Sequence, residues 1–236
     1  MPLALDFAVA KTHKHATRES GDTAEIVERP GGGLSLLVVD GQGSGRGARV
    51  ISQMVAARCL AAIKDGVRDG VVARIANDVL LAHRHGQVSA TLDLVSVDVP
   101  AGEIVVTRQG GTVGALRRCG ETEPLATATP PLGRYRLSRP VVWRYPLAAG
   151  LTVVVATDGI SASGQRLGQP PLDLPAWLDT VHEDATAEEL ADQLLAHAVS
   201  RDGGRPSDDC TVGVVRIVAR EDVPVARRMA VYLPLP

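Results

Sequence analysis

The sequence predicts one continuous α+β domain. Two windows of helical spacing in the first third, a switch to period-two patterning from residue 88, and apolar runs bounded by aspartates carry that expectation. The 236 residues suffice for one large domain with a full core, and 45% of them are hydrophobic.

Residues 3–10 (LALDFAVA) read as an opening strand. A polar stretch from Lys11 leads into Ser20-Gly21-Asp22, and a second strand is expected over residues 23–28. The turn Arg29-Pro-Gly-Gly-Gly33 feeds the run Leu34-Ser-Leu-Leu-Val-Val39, which closes on Asp40. A Pro-Gly cluster between two apolar runs is a hairpin connection rather than an interdomain linker. Beyond Gly41-Gln-Gly-Ser-Gly-Arg-Gly47, the positions of Val50, Ile51, Met54, Val55 and Leu60 predict a helix over 48–64. Val72, Ile75 and Val79 predict a second helix over 70–82.

The period then changes to two. Strands over 88–98 and 103–109 flank Val99-Pro-Ala-Gly102, a hairpin signal. Strands over 113–118 and 135–145 continue the antiparallel pattern, with Pro140 marking an edge or a bulge. The run Leu151 to Thr157 ends on Asp158-Gly159. Residues 160–185, rich in Pro, Gly and Asp, are expected to form a loop with a short helix near Trp177. Thr186, with Glu189 three residues on, is a capping box for a helix over 186–200. Asp208-Asp209 opens a last strand over 210–218. The tail 219–236 contains Val231-Tyr-Leu233, which is expected to fold back on its own domain or pair with a neighbour's sheet edge.

Composition narrows the function. A net charge of −2 gives no broad electrostatic pull on nucleic acid or an anionic membrane, so neither is expected as a partner. Cys59, Cys119 and Cys210 are widely spaced with no CxxC pair, which favours reduced residues over disulfides or a zinc site. The chain has no run of 18 apolar residues and no basic-then-apolar leader pattern, so the cytoplasm is the expected compartment.

The aspartates at strand tips are the candidate chemistry. Burying carboxylates is costly unless a cation compensates, and a hard divalent ion is the usual partner. Each acid alone has a bland reading: Asp158 and Asp208-Asp209 as turn residues, Asp22 as a cap or loop acid. Together, at four strand termini, they favour one shared cation site and metal-assisted hydrolysis. The glycine-rich segment after Asp40 lacks the G-K-[ST] of a P-loop and the GxGxxG spacing of a dinucleotide fold. It remains either a plain turn at a helix start or a metal-site turn in which Gly41 offers its carbonyl. Neither a Gly-x-Ser-x-Gly elbow nor an HExxH pair occurs, and Cys210-x5-Arg216 falls within the apolar run of the last expected strand instead of a loop. His13 with His15, and His83 with His85, read as solvated loop residues ahead of metal ligands.

Ser20-Gly-Asp22, Val39-Asp-Gly-Gln-Gly-Ser-Gly45, Ala156-Thr-Asp-Gly-Ile160 and Ser207-Asp-Asp-Cys-Thr211, in this order and spacing, resemble the metal-dependent Ser/Thr phosphatases of the PPM superfamily, type 2C. The likeness runs over about residues 3–218 and is nearest to the short bacterial SpoIIE-like branch, RsbX-like in length and in the hairpin that carries Ser89-Ala-Thr-Leu92. The resemblance implies a four-layer α/β/β/α sandwich of two antiparallel sheets flanked by helices, as a single phosphatase domain over 1–236. It implies two Mn²⁺ or Mg²⁺ ions held by Asp22, Asp40, the Gly41 carbonyl, Asp158 and Asp208, with Asp40, Asp158 and Asp208 as the catalytic carboxylates and Asp40 bridging the ions. Gly111 stands where larger members carry an acid for a third ion, Arg18 is the nearest candidate for their phosphate-gripping arginine, and Gln42 replaces a residue that varies in relatives. The segment 160–185 falls where members carry a flap and is expected to recognise a partner.

The function implied is a protein phosphoserine/phosphothreonine phosphatase that acts, as a monomer or weak dimer, on a phosphorylated regulatory protein, with a STAS-type protein as the candidate. The alternatives are a catalytically weak relative that binds such a phosphoprotein without turnover, and a small-molecule phosphatase with the same metal centre.

Overall fold

The structure is a computed structural model that describes residues 1–126, 128–221 and 226–233. Ten strands form two five-stranded antiparallel sheets among these residues, with helices on both outer faces. One sheet has β2 (Asp22–Glu28), β3 (Leu34–Gly41), β4 (Ala90–Asp98), β5 (Glu103–Gln109) and β8 (Val141–Pro146) in that order. The other has β1 (Leu3–Thr12), β10 (Cys210–Ala219), β9 (Thr152–Ala156), β6 (Val113–Arg118) and β7 (Glu121–Pro124). Helices α1 (Gly45–Lys64) and α2 (Asp69–Arg84) cover the first sheet. The second is covered by α3 (Asp158–Ser161), α4 (Leu174–Thr180) and α5 (Ala187–Arg201). This is the four-layer sandwich that the sequence implied.

The layering explains why several strands read as continuous apolar runs. Along β3, Leu36 and Val38 face the opposite sheet while Leu37 and Val39 face α1, so both faces are buried. Strands β9 and β10 are buried on both sides in the same way: Val153, Val155, Val215 and Ile217 pack between the sheets, and Val154, Val212 and Val214 pack under α5 and α4. Thr186 caps α5 with the full capping box, its hydroxyl accepting from the Glu189 N–H at 3.2 Å while Glu189 Oε2 accepts from the Thr186 N–H at 2.8 Å.

The expectations shift in three places. The strand placed over 135–145 begins only at Val141. Pro140 lacks the N–H that a ladder needs. The preceding segment instead lies along α2, where Asn77 accepts from the Gly133 N–H and donates to the Tyr135 carbonyl. Strand β7 was hidden because Glu-Thr-Glu-Pro carries no apolar alternation; it pairs with β6 through a two-residue turn in which Cys119 and Gly120 take φ of 51° and 77°. The segment 160–185 carries the expected short helix around Trp177, α4, and its Leu172, Leu174 and Leu178 are buried under the second sheet. In the tail, Val231, Tyr232 and Leu233 are exposed, Arg227 approaches Glu28 at 3.6 Å, and no strand forms over 226–233; the rest of the tail from 222 on lies outside the described residues.

Between the sheets sits one charged pair. Asp93 of β4 and Arg108 of β5 stand directly opposite each other, both essentially fully buried, with Arg108 Nε donating to Asp93 Oδ1 at 2.5 Å. Arg108 also donates to Thr112 Oγ1 and to the Leu125 carbonyl, tying the first sheet to the second. Arg108→Met alone should cost about 3–5 kcal/mol, because it strands an unpaired buried carboxylate. The double variant Asp93→Leu/Arg108→Met should recover most of that loss in urea unfolding; equal losses in single and double variants would contradict the pairing.

Candidate metal centre

The inner faces of the two sheets end in polar residues at one pole of the sandwich. In the hairpin β2–β3, Asp22 and Asp40 are directly opposite, continuing the inward rows Ile26, Ala24 and Leu36, Val38. Period-two geometry therefore aims both carboxylates at the gap between the sheets. From the second sheet, Asp158 follows β9 and Asp208 precedes β10. Asp22, Asp40, Asp158 and Asp208 all line one cavity of about 460 Å³. The four acids that the sequence singled out are thus brought together, although residues 22 and 208 lie at opposite ends of the chain.

Gly41 is needed where it is. A Cβ on Gly41 would lie 2.1 Å from the Ala48 carbonyl oxygen of α1, so no larger residue fits without moving the helix. Gly159 is similarly constrained: its Cβ would lie 2.1 Å from the Asp209 carbonyl oxygen. In the β3–β4 ladder the Gln42 N–H donates to the Ser89 carbonyl. The alternation of an antiparallel pair then turns the neighbouring Gly41 carbonyl away from β4, toward Gly21. The Gly21 N–H donates instead to Asp209 Oδ2 at 2.7 Å.

Several residues support the four acids. Asp22 Oδ2 accepts from Thr211 Oγ1 at 2.6 Å and from Thr157 Oγ1 at 3.0 Å, so the opposite sheet fixes its rotamer. Asp209 is buried and holds the chain before β2, accepting from the backbone N–H of Lys14 at 2.8 Å and of Gly21. Gln42 acquires a role: its Oε1 accepts from the N–H and the hydroxyl of Ser89 at 2.9 and 3.1 Å. Arg18 is exposed and does not line the cavity, whereas Lys14 does. Gly111 also lines it and brings no carboxylate.

The electrostatics record the crowding. Burial, then the nearby charges of Asp22, Asp158 and Asp208, push the Asp40 carboxyl up to about 9. Burial raises Asp22 to about 6, against the lowering effect of the two threonine hydroxyls. Burial and Asp208 raise Asp158 as well. Burial, with the surrounding aspartates, pushes the Cys210 thiol up to about 12, leaving it neutral and no ligand for a hard ion. Among the described residues no three His, Cys, Asp or Glu side chains close on a common point. The donor set consists of carboxylates and one carbonyl turned away from its ladder. That chemistry fits a hard, oxygen-seeking cation such as Mn²⁺ or Mg²⁺ and not a soft metal.

The sequence profile of the family described as Stage II sporulation protein E (SpoIIE) matches residues 30–218. The chain belongs to the SpoIIE family. The curated Stage II sporulation protein E of Bacillus subtilis (strain 168) is 22% identical over 198 residues, covering 84% of this chain. The SpoIIE-family chain spans about a quarter, 24%, of that relative's length. Among solved structures, the PP2C phosphatase domain of Bacillus subtilis SpoIIE with a fragment of its regulatory domain superposes with a TM-score of 0.80 at 20% identity, over 93% of this chain and 64% of that one. The catalytic domain of the serine/threonine phosphatase PstP with two manganese ions gives 0.72 at 18% identity, over 92% and 100%. RsbX in complex with magnesium gives 0.70 at 17%, over 90% and 95%. These likenesses establish a PP2C-type fold for the SpoIIE-family chain. No helix among the described residues is long and apolar enough to cross a membrane.

The raised carboxyls predict a pH dependence for the metal-free protein. Folded Asp40 holds its proton up to about pH 9, while the unfolded group releases it near 3.8. The folded state binds the extra proton between those values, so stability falls as pH rises through that window. In EDTA, Tm should drop between pH 5 and pH 8 more steeply for the wild type than for Asp40→Asn, and saturating Mn²⁺ should reduce the difference. Identical pH profiles without metal would contradict the placement of Asp40.

Proposed function

We propose that the chain is a metal-dependent protein phosphatase that hydrolyses phosphoserine and phosphothreonine on a regulatory protein. The observation that carries this reading is the convergence of Asp22, Asp40, Asp158 and Asp208 on one cavity. Family membership and the PP2C-type fold support the reaction class. The manganese and magnesium in the PstP and RsbX structures support the choice of ion, and the two ions in PstP support a count of two.

Asp40, opposite Asp22 and within the influence of the Asp158 and Asp208 charges, would hold two divalent ions together with Asp22, Asp158, Asp208 and the Gly41 carbonyl. The chemistry that such ions would supply is Lewis-acid activation of a water and compensation of the phosphoryl charge. The chain's own part is positional. Thr157 and Thr211 lock the Asp22 carboxylate, and Asp209 holds the Lys14–Gly21 segment at the cavity edge. Lys14, lining the cavity, carries the positive charge that a phosphate dianion calls for, a role we assign to it in place of Arg18. Attack by water agrees with the absence of a Gly-x-Ser-x-Gly elbow and with the buried, neutral Cys210 thiol at the start of strand β10. Gly111 gives no carboxylate for a third ion.

We read residues 1–236 as one phosphatase domain, acting in the cytoplasm as a monomer or weak dimer. The RsbX-like resemblance supports a STAS-type phosphoprotein as substrate. Purified protein should hydrolyse p-nitrophenyl phosphate and a phosphoserine peptide with Mn²⁺, and EDTA should abolish both activities. Asp40→Ala and Asp158→Ala should each lower kcat/KM on the order of a thousandfold, about 4 kcal/mol of transition-state stabilisation, with the circular-dichroism spectrum unchanged. Near-wild-type turnover in either variant would sink the two-ion assignment. Phosphopeptide binding without turnover in the wild type would favour the non-catalytic binding module.

A further inference from the structure

The stretch between Glu123 and Asp158 contains no aspartate or glutamate, in a chain whose net charge is −2. Within it, Arg134, Arg136 and Arg139 alternate with Tyr135, Leu137 and Ser138. Residues 134–137 and Arg139 are exposed, with Tyr135 at 62% and Leu137 at 90% of their full accessibility. Apolar side chains this open usually belong to scattered surface positions. Here they are interleaved with arginines on a backbone held at both ends.

The tethers are specific. Leu132 and Ala90 exchange backbone hydrogen bonds at 2.8 and 3.2 Å. The Gly133 N–H donates to Asn77 Oδ1 at 3.0 Å, and Asn77 Nδ2 donates to the Tyr135 carbonyl at 3.1 Å. Gln109 Nε2 donates to the buried Ser138 hydroxyl at 2.6 Å. The same anchors fix the location, because Pro131, Ala90, Ser89 and Gly111 all line the acidic cavity. Arg144, farther along, is engaged with Glu103 at 2.8 Å and is not part of this surface.

We propose that residues 133–139 are the docking element for the protein substrate and take up acidic side chains that flank its phosphorylated serine or threonine. The inference rests on the phosphatase reading above and gives that site a substrate class. An acidic partner approaching a cavity built of aspartates meets repulsion, and a positive rim offsets it and steers the encounter. Arginine and tyrosine on a pre-ordered backbone bind with little further loss of conformational freedom, the usual composition of the energetic centre of an interface.

The test compares the wild-type full chain with Arg136→Glu/Arg139→Glu, two exposed positions outside the metal centre. With Mn²⁺, turnover of p-nitrophenyl phosphate should stay within about twofold, because that substrate is too small to reach the rim. On a phosphoserine peptide with Asp and Glu flanks, kcat/KM should fall at least about tenfold, mainly through KM, and the loss should shrink at about 0.5 M salt. A peptide with alanine flanks should be little affected. Fluorescence anisotropy of the acidic phosphopeptide in EDTA should show the same loss of binding without any turnover. An unchanged acidic peptide, or equal losses on all three substrates, would overturn the proposal. Tighter binding of a single-stranded oligonucleotide than of the acidic peptide, lost in the variant, would assign the surface to nucleic acid and also overturn it. A wild type inert toward every phosphate ester would refute the phosphatase reading instead, and the anisotropy difference would still decide the docking.

Discussion

The carboxylate of Asp22 crosses the gap between the two sheets. It leaves β2 of one sheet and accepts hydroxyl hydrogen bonds from Thr157 and Thr211 of the other, all three side chains buried. Hydrogen bonds to an ionised group in a water-poor setting are worth more than their neutral counterparts, and an unmade one there is costly. The angle and separation of the sheets at this pole are therefore tied to the position of one ligand. Asp209 reinforces the tie from the second sheet by gripping the backbone just before β2. Hydrophobic packing fills the sandwich, but these polar bridges fix how its open end is shaped.

A second polar bridge lies deeper. Asp93 and Arg108 are satisfied by each other, by Thr112 and by the Leu125 carbonyl, so the core carries a charge pair without a net charge. The end of the sandwich carries the opposite arrangement, negative charge gathered without enough positive partners. The same low-polarity surroundings that make the first pair rigid push the Asp40 carboxyl up to about 9. Stability and cation affinity are opposing demands on one region, and the fold separates them by a few residues along β4 and β5.

Much of this was readable in the sequence because it is local. The D-G pairs after β3 and β9, the capping box of α5 and the Val99-Pro-Ala-Gly102 hairpin each follow from short-range backbone chemistry. The convergence of four acids was legible only as a pattern of strand tips and through resemblance to a family; the register that sets Asp22 opposite Asp40 is a property of pairing, not of composition. What stayed hidden depends on tertiary contact. Nothing about Thr157 or Thr211 marks either as a carboxylate's partner until the sheets are stacked. Arg108 looked like an ordinary residue in an alternating strand, and the space it occupies exists because a Cβ on Gly114 would come within 2.6 Å of its Nη1. Residues 135–139 read as the start of a strand because their alternation is real, yet it serves a tethered surface segment instead of a sheet.

The pairing of the first strand with the last has a consequence for how the molecule is made. Strands β2, β3, β4, β5 and β8 all lie within residues 22–146, so that sheet can assemble while the rest of the chain is still being synthesised. The other sheet cannot, since β1 finds its neighbour only when β10 emerges. Until then Asp22 has no threonine from strand β10 to hold it, and Asp208 does not exist. A nascent chain thus carries a half-built acidic pocket with no competence for chemistry, and the wait exposes the unpaired edge of β1 to other chains until β10 is made.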